Sequence, residues 1–309
     1  MTRTNVTDAT VGEVALARPR RGPAIVYAAL SLQTALSAGT FLAAKRALQE
    51  IDSFELVILR FAISGAVFAG LLVALPGRVL PPARALPRIA LLALLGGPLN
   101  QGLFFVGLAR SVPAHAALLY ALTPLGVYLY LLARGRERSS GRRLAGIAVA
   151  CAGVLVLLLG RGLAAASGPL AGDLFILLGV IAWVLYTAEG MDLIAEHGSL
   201  RATAWTLGGA AVMAVPAAPF ILDPGRLAAA SGVVVASILY LGVLSSAVSY
   251  FLWYFALSRM DASRVAVFAN LQPPATAFAA WIILGDPITW EIVAGGVLVI
   301  AGVRIAQRR

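Results

Sequence analysis

The sequence AGIAVACAGV at residues 145–154 occurs again, in related form, as AGGVLVIAGV at residues 294–303. The two stretches lie 149 residues apart, and both begin with Ala-Gly and end with Ala-Gly-Val. Apolar composition alone produces chance matches of Ala and Val, but it rarely places two glycines in the same register twice. The pair therefore indicates an internal repeat with a shift of 149 residues.

The same shift aligns other residue types that an apolar composition does not explain. A basic residue, a proline and an acidic residue of the first half each fall on a counterpart in the second half, without a gap. The aligned pairs are Arg110 with Arg259, Leu122 with Leu271, Pro124 with Pro273, and Glu137 with Asp286.

The composition predicts a membrane protein. Hydrophobic residues make up 60% of the chain and charged residues 12%, whereas a soluble globular protein has about 25% charged residues. The net charge is +10, but the arginines are scattered between apolar segments rather than gathered on one face, so nucleic acid is not predicted as a partner. Membrane lipids are the predicted surroundings.

Apolar segments of about bilayer length recur along the chain, separated by charged or Pro- and Gly-containing loops. Alternating β-barrel patterning is absent, so helices are the only way to satisfy the backbone in lipid. The ten predicted transmembrane helices are 24–44, 54–75, 87–109, 113–133, 142–160, 170–190, 203–222, 232–257, 264–284 and 290–307.

The distribution of basic residues predicts the orientation. With ten helices, 18 of the 24 Lys and Arg residues lie on the side of the N-terminus, 5 lie on the opposite side and Arg60 lies within a helix. Because cytoplasmic loops carry the excess of Lys and Arg, both termini are predicted to be cytoplasmic in a multi-pass protein of the cell (inner) membrane.

The repeat predicts three regions: a disordered cytoplasmic tail at 1–23, a first five-helix repeat at 24–160 and a second at 170–307. Because five is odd, the second repeat enters the membrane from the opposite side. The fold class is therefore an all-α membrane protein of ten transmembrane helices in two inverted five-helix repeats. This architecture is typical of secondary transporters, which bind substrate between the repeats near the membrane midplane.

Short motifs that recur in order in both halves resemble the EamA-like family of the drug/metabolite transporter superfamily. They are Leu108-Ala109, Pro124-Leu125, Glu137-Arg138, Gly146 and Gly153 in the first half, and Ala256-Leu257, Ala262-Ser263, Pro273, Leu284-Gly285-Asp286 and Gly295–Gly302 in the second. The resemblance implies a ten-helix carrier with cytoplasmic termini, and many family members resemble exporters of amino acids or other small metabolites. Asp286 is a departure, since the family usually has Glu there.

Polar and aromatic residues within the predicted helices are the candidate substrate-binding residues, because such groups usually face a cavity or another helix in a membrane. Interhelical hydrogen bonds or core packing are the alternative for each of them. The candidates are Gln33, Asn100, Tyr120, Trp183, Tyr186, Tyr250, Trp253, Asn270 and Gln272.

Four further residues are candidates for gating or hinge roles. Pro124 and Pro273 are repeat-equivalent, and interrupted helices at matching positions point to the binding site of such folds; the alternative is a kink needed only for packing. Glu137 and Asp286 lie at helix ends on opposite sides, as helix-start charges or gate contacts. His115 is the candidate for proton coupling, with an ordinary interfacial histidine as the alternative.

The remaining charged groups suggest no chemistry of their own. Arg60 is expected to extend toward the membrane surface or to pair with Glu55, a structural role that the family resemblance also implies. No catalytic residues, cofactor or metal site are predicted, because no nucleophile–base set, phosphate loop or metal-spaced cluster is present.

The sequence thus predicts a secondary transporter, and specifically an exporter of small metabolites such as amino acids, that works by alternating access around a midplane cavity. The partner is a small-molecule substrate, and no oligomeric state is specified. The alternative is a membrane-embedded enzyme acting on a lipid-soluble substrate, which would need paired acids or a metal cluster facing the interior.

Overall fold

The computed structural model describes residues 23–74, 76–77, 79–110, 116, 119–159, 170–284 and 290–307. Within these ranges the regular structure is entirely helical. Some helices continue through a short 3-10 or π turn. The helices are α1 Pro23–Ala47, α2 Ser53–Ala74, α3 Ala83–Arg110, α4 Thr123–Ala133, α5 Gly141–Leu159, α6 Leu170–His197, α7 Ser199–Ile221, α8 Pro224–Ala229, α9 Gly232–Leu257, α10 Ala262–Ala266, α11 Gln272–Leu284 and α12 Trp290–Gln307.

Six of these helices are long and apolar enough to cross a membrane: α1, α2, α3, α6, α7 and α9. Shorter apolar helices lie at Thr123–Ala133 and Val293–Ala306. The chain is therefore an integral, multi-pass membrane protein, as the composition predicts. We call the end of the bundle where α1 begins the proximal end, and the end where α1 terminates the distal end.

The closest helix pairing is between α5 and α12, and it depends on glycine. A Cβ atom placed on Gly146 would lie 2.8 Å from the Gly302 carbonyl oxygen, and one on Gly153 would lie 2.7 Å from the Gly295 carbonyl oxygen. Small residues allow helix backbones to approach this closely in a membrane. The repeated Ala-Gly motifs thus form one of the surfaces through which the two halves of the chain meet.

The core of the bundle forms from helices that pack in equivalent pairs. α3 packs on α6, α9 packs on α1, and α2 packs on α7. Under the shift of 149 residues, the pair α3–α6 corresponds to the pair α9–α1. The centre of the molecule is therefore enclosed mainly by α1, α2, α3, α6 and α9.

Four of the predicted spans contain an interruption of the α-helix. α3 contains a π turn at Leu95–Leu99, and α9 contains a longer one at the equivalent position, Tyr240–Val248. A 3-10 segment, Val267–Leu271, separates α10 from α11, and α4 likewise starts only after a turn at residues 121–122. Gly97 and Pro98 explain the first break, since proline cannot complete the helical hydrogen bonds.

The sixth helix is longer than its apolar segment, which was expected to end at residue 190. α6 continues to His197, although Glu189 and Asp192 lie on its last turns. Arginines of neighbouring elements pair with both carboxylates. The hydropathy of the segment therefore underestimates the length of α6, because its polar C-terminal end is stabilised by partners elsewhere in the chain.

Candidate functional site

A small polar cavity of about 70 Å³ lies at the centre of the bundle. This volume holds about two water molecules, at about 30 Å³ each. Its wall combines amide, hydroxyl and aromatic groups around one charged residue. The lining residues are Gln33, Ser37, Thr40, Phe41, Arg60, Asn100, Gln101, Phe104, Tyr120, Trp183, Ser245, Ser249, Tyr250, Ala269 and Gln272.

Arg60 is the charged residue of this wall, and it is only 2% exposed. Its guanidinium donates to the Gln101 side-chain oxygen (2.8 Å), the Ser245 hydroxyl (3.0 Å) and the Ser246 hydroxyl. Arg60 takes part in none of the ion pairs found among the described residues. The expected surface position and the expected pairing with Glu55 are therefore both wrong.

The hydrogen-bond partners of Arg60 belong to a network of neutral groups on α3 and α9. The Gln101 amide donates to the Asn100 side-chain oxygen and to the Tyr250 hydroxyl (3.2 Å). The Tyr250 hydroxyl in turn donates to the Gly96 carbonyl oxygen in the π turn of α3 (2.7 Å). Asn100 donates to the Tyr120 hydroxyl at 3.1 Å. The π turn thus exposes a backbone carbonyl to the cavity network, as such turns often do at functional sites.

A second set of hydroxyls joins α1 to α9 on the opposite wall. The Gln33 amide donates to the Ser37 hydroxyl (2.8 Å) and the Ser249 hydroxyl (3.3 Å). Thr40 and Ser245 form a hydroxyl–hydroxyl bond of 2.6 Å. These bonds between neutral groups are modest in energy, so they can exchange when the helices move.

The nine predicted substrate-binding residues separate into two groups in the structure. Six line the cavity: Gln33, Asn100, Tyr120, Trp183, Tyr250 and Gln272. The other three, Tyr186, Trp253 and Asn270, are buried beside it. The substrate-binding role of all nine residues stays a prediction.

The aromatic residues behind the cavity form one packed cluster. Trp183 stacks on Tyr186 with ring centroids 5.2 Å apart, and Tyr186 stacks on Tyr254 at 4.9 Å. Trp253 lies 5.6 Å from Trp183 and donates its ring N–H to Thr187. Tyr186 and Trp253 therefore support Trp183 from behind rather than face the cavity.

The two prolines with predicted hinge roles each begin a helix. Pro124 lies in the first turn of α4 and Pro273 in the first turn of α11, directly after the 3-10 segment. Proline is compatible with a first helical turn because the missing N–H has no partner there. These prolines restart the helices next to the cavity residues Tyr120 and Gln272.

Charged groups close the proximal end of the bundle. Asp192 on α6 pairs with Arg88 on α3 and with Arg136 in the loop after α4. Glu189 accepts a hydrogen bond from the Tyr130 hydroxyl (2.5 Å) and lies 3.6 Å from Arg134. These contacts join three helices of the two halves.

Glu137, a predicted gating residue, lies in a second proximal cluster. It pairs with Arg143 on α5 and accepts a hydrogen bond of 2.6 Å from the Ser263 hydroxyl on α10. Arg143 also lies 3.5 Å from Asp261. Glu137 therefore bridges the two halves of the chain, a position compatible with either of its predicted roles.

Acidic residues also make contacts between elements at the distal end. Glu55 is fully buried and accepts hydrogen bonds from Arg226 (2.9 Å) and the Asp223 backbone N–H (2.8 Å). Glu50 accepts from the backbone N–H and the hydroxyl of Ser231, and these bonds lower the pKa of Glu50. Glu50 therefore stays ionised at neutral pH. Charged groups thus make contacts between elements at both ends of the bundle.

Two of the predicted site residues, His115 and Asp286, lie outside the described residues. In the described part of the chain no group of three or more His, Cys, Asp or Glu side chains is arranged to hold a metal ion.

Several wall residues were not among the predicted site residues, notably Arg60, Ser37, Thr40, Ser245 and Ser249. Serine and threonine are common in membrane helices, where they bond to their own backbone, so their type carries little signal. The residue type of Arg60 did carry a signal, since an ionisable residue within a membrane helix is a functional candidate by default.

Comparison with known proteins gives a consistent family assignment. A model of the EamA-like transporter family matches the chain twice, at residues 24–159 and at residues 170–306. An uncharacterized transporter of Archaeoglobus fulgidus is 30% identical over 289 residues, which covers 91% of this chain and 96% of that protein.

Two further similarities concern a named export activity and the fold. A "Probable terminal-alkyne amino-acid exporter" of Streptantibioticus cattleyicolor is 28% identical over 229 residues, which covers 74% of this chain and 75% of that protein. A crystal structure of another protein superposes with a TM-score of 0.72 at 22% identity, over 92% of this chain and 96% of that one. The latter similarity shows a shared fold.

Proposed function

The chain belongs to the EamA-like transporter family, and we propose that it is a secondary transporter that exports small metabolites, such as amino acids, by alternating access around the central cavity. The ten predicted helices form two inverted five-helix repeats in this proposal, and both termini are cytoplasmic. The proximal end then faces the cytoplasm and the distal end faces outward.

The observation that carries this proposal is the contact between Gln101 and Tyr250. These two residues are 149 positions apart and hydrogen bond to each other, so they are equivalent under the repeat shift. Two equivalent residues that touch lie on the axis relating the repeats. Because both also line the cavity, that axis passes through the cavity wall, where inverted-repeat transporters bind substrate.

The glycine contacts of α5 and α12 support the same axis. Gly146 is equivalent to Gly295, and Gly153 is equivalent to Gly302. Gly146 meets Gly302 while Gly153 meets Gly295, so each contact is the reciprocal of the other, as at any two-fold interface. The paired π turns of α3 and α9 add a third equivalence.

The cavity volume and the contacts at the two ends support alternating access. A space of about 70 Å³ is too small for an amino acid, and charged contacts link elements at both ends. A substrate therefore needs one end to separate before it can enter. The similarity to a protein named as an amino-acid exporter supports the proposed cargo and direction.

Flux in proteoliposomes tests the proposal. Purified protein is reconstituted and loaded with a panel of labelled amino acids, nucleosides and amphipathic drugs, and liposomes without protein are the control. We expect protein-dependent flux of at least one compound, and counterflow when the same compound is present on both sides. Absence of flux for the whole panel would contradict a transport function, and a C-terminal reporter that is active only outside the cell would contradict the orientation.

A further inference from the structure

We propose that Arg60 is the substrate-recognition residue of the cavity and that it selects molecules carrying a carboxylate group. This inference rests on the proposed transport function and goes beyond it by naming the charge of the substrate. Arg60 lies on α2, its side chain is 98% buried, and it forms part of the cavity wall.

Among the residues that the structure describes, the charge of Arg60 has only neutral partners. Its three hydrogen bonds there go to one amide oxygen and two serine hydroxyls. The ionisable groups near it in this part of the chain are the tyrosines Tyr120, Tyr240 and Tyr250, which are uncharged at neutral pH. A buried cation without a counter-charge is costly, so an anionic ligand in the cavity would be strongly favoured.

The geometry of the Arg60 guanidinium suits a carboxylate. The Nη1 group donates to the Gln101 side-chain oxygen at 2.8 Å, and the Nη2 group donates to the Ser245 hydroxyl at 3.0 Å. Both acceptors are neutral, and they belong to different residues. Arginine binds carboxylates through two parallel N–H···O bonds, and charge-assisted bonds of this kind are about twice as strong as neutral ones. The bonds to Gln101 and Ser245 have an ionised donor but a neutral acceptor. A carboxylate that replaced both acceptors would therefore add the attraction of opposite charges to a bidentate pair of bonds.

Only the first repeat has an arginine at this position. The residue equivalent to Arg60 under the shift of 149 is Gly209, which has no side chain to contribute. The symmetry of the bundle thus provides the cavity, while a single residue of the first repeat supplies its charge. We infer one carboxylate position per molecule rather than a symmetric pair.

The other cavity walls indicate the rest of the ligand. Trp183, Phe41 and Phe104 line the cavity, and the aromatic side chains provide an apolar surface. The predicted ligand is therefore a small molecule with one carboxylate and an apolar or aromatic body.

Matched pairs of ligands test this inference. The probes are L-phenylalanine and 3-phenylpropionate, each compared with its own carboxamide, and binding is measured on purified protein by thermal stabilisation and by inhibition of flux. We expect the wild type to bind each carboxylate at least about tenfold more tightly than its carboxamide, the size of one good charged contact. Equal binding of the members of both pairs would overturn the inference without any variant.

Arg60→Gln separates recognition from a structural role. We expect carboxylate binding to fall by about tenfold or more, while carboxamide binding stays within experimental error. Arg60→Lys keeps the charge but loses the bidentate geometry, so it should retain part of the carboxylate preference and remains informative if Arg60→Gln does not fold. Arg110→Gln, at the exposed end of α3, is the control and should keep the full preference.

The outcomes distinguish the two proposals. If Arg60→Gln weakens carboxylates and carboxamides equally, Arg60 acts as a structural contact and the inference is overturned. Equal flux of carboxylates and carboxamides would support the transport function and contradict carboxylate recognition by Arg60. Carboxylate-selective binding without any flux would support Arg60 and contradict transport.

Discussion

The side-chain amide of Asn270 is fully buried, and it forms no hydrogen bond of normal geometry with the described residues. Its side chain is 0% exposed, and neither its nitrogen nor its oxygen has a partner. The Cys151 thiol interacts with it weakly, but its own hydrogen bond goes to the Ala121 carbonyl oxygen at 3.5 Å. A buried amide without partners costs free energy. Asn270 is the one described residue with two buried side-chain polar atoms that lack a partner.

Asn270→Leu is expected to stabilise the protein, because it replaces an unsatisfied amide with an apolar side chain of the same branched shape. The expected gain is about 1 kcal/mol in the free energy of unfolding. If the amide acquires partners when the bundle opens or binds substrate, the same variant will also lower the flux in proteoliposomes. Thermal unfolding in detergent and the flux assay measure the two effects separately.

Asn100→Leu is the matched control, since it makes the same change in the same cavity region. Asn100 donates to the Gly179 carbonyl oxygen at 2.7 Å and accepts from Gln101, so its removal leaves buried groups unpaired. We expect it to destabilise the protein by about 1–3 kcal/mol. Two variants that shift the unfolding midpoint in the same direction would contradict this account of Asn270.

The helix breaks show how the elements build the site. α3 and α9 carry π turns at equivalent positions, and α4 and α11 each restart at a proline. All four breaks lie beside cavity residues. Regular helices would direct these carbonyls along the helix axis, whereas an interrupted helix frees them for other partners. The Gly96 carbonyl oxygen, which accepts from Tyr250, is the clearest example.

Gly302→Ala tests the closeness of α5 and α12. The new Cβ atom would lie 2.6 Å from the Gly146 carbonyl oxygen, so the helix backbones must separate. We expect a loss of about 1–3 kcal/mol in stability, measured as a lower unfolding temperature by size-exclusion chromatography after heating.

Gly296→Ala provides the comparison on the same helix. Its nearest neighbour would be the Pro274 side chain at 3.7 Å, which is an ordinary contact. Because alanine favours helix over glycine by about 1 kcal/mol, this variant should be neutral or more stable. Equal losses of stability for Gly296→Ala and Gly302→Ala would contradict the view that Gly302 is needed for the close approach of α5 and α12.

At the scale of the whole molecule, the charged contacts at the two ends of the bundle differ. The proximal end is closed by several arginines around Glu189 and Asp192, whereas Glu55 at the distal end is buried and has a single arginine partner. Partly exposed ion pairs are individually weak and are screened by salt. The proximal contacts are therefore able to break and reform during a transport cycle.

Asp192→Asn is expected to loosen the proximal end, because it weakens the links from α6 to both Arg88 and Arg136. A cysteine at the cavity position Ser37, introduced into a Cys151→Ala background, reports the opening. Its reaction with a membrane-impermeant thiol reagent applied from the proximal side should become several-fold faster, and high salt should reduce the difference between variant and parent.

Glu196→Gln is the control for Asp192→Asn. Glu196 lies about one turn further along α6, is largely exposed and contacts only His197 of its own helix among the ion pairs described. The labelling rate at position 37 should not change in this variant. An unchanged rate in Asp192→Asn as well would mean that these ion pairs do not hold the proximal end closed.

Much of this protein can be read from local sequence. The membrane class follows from hydropathy, and the family and the repeat follow from short motifs in order, because these properties are carried by neighbouring residues. Six of the nine candidate residues lie around one cavity, since polar groups in membrane helices usually turn inward. Where the helices break was less predictable: Pro98 marks the π turn of α3, but no proline marks that of α9.

Only the tertiary structure decided the charge of the cavity and the charged contacts at the ends of the bundle. Arg60 meets Gln101 and Ser246, which are 41 and 186 residues away, while Glu55 bonds to Arg226 at a distance of 171 residues. Whether a buried charge is paired depends on contacts between distant helices, and hydropathy does not encode those contacts. The sequence by itself determined a repeated, membrane-embedded bundle of a transporter family. Helix packing decided that an arginine lies at its centre with only neutral partners among the described residues.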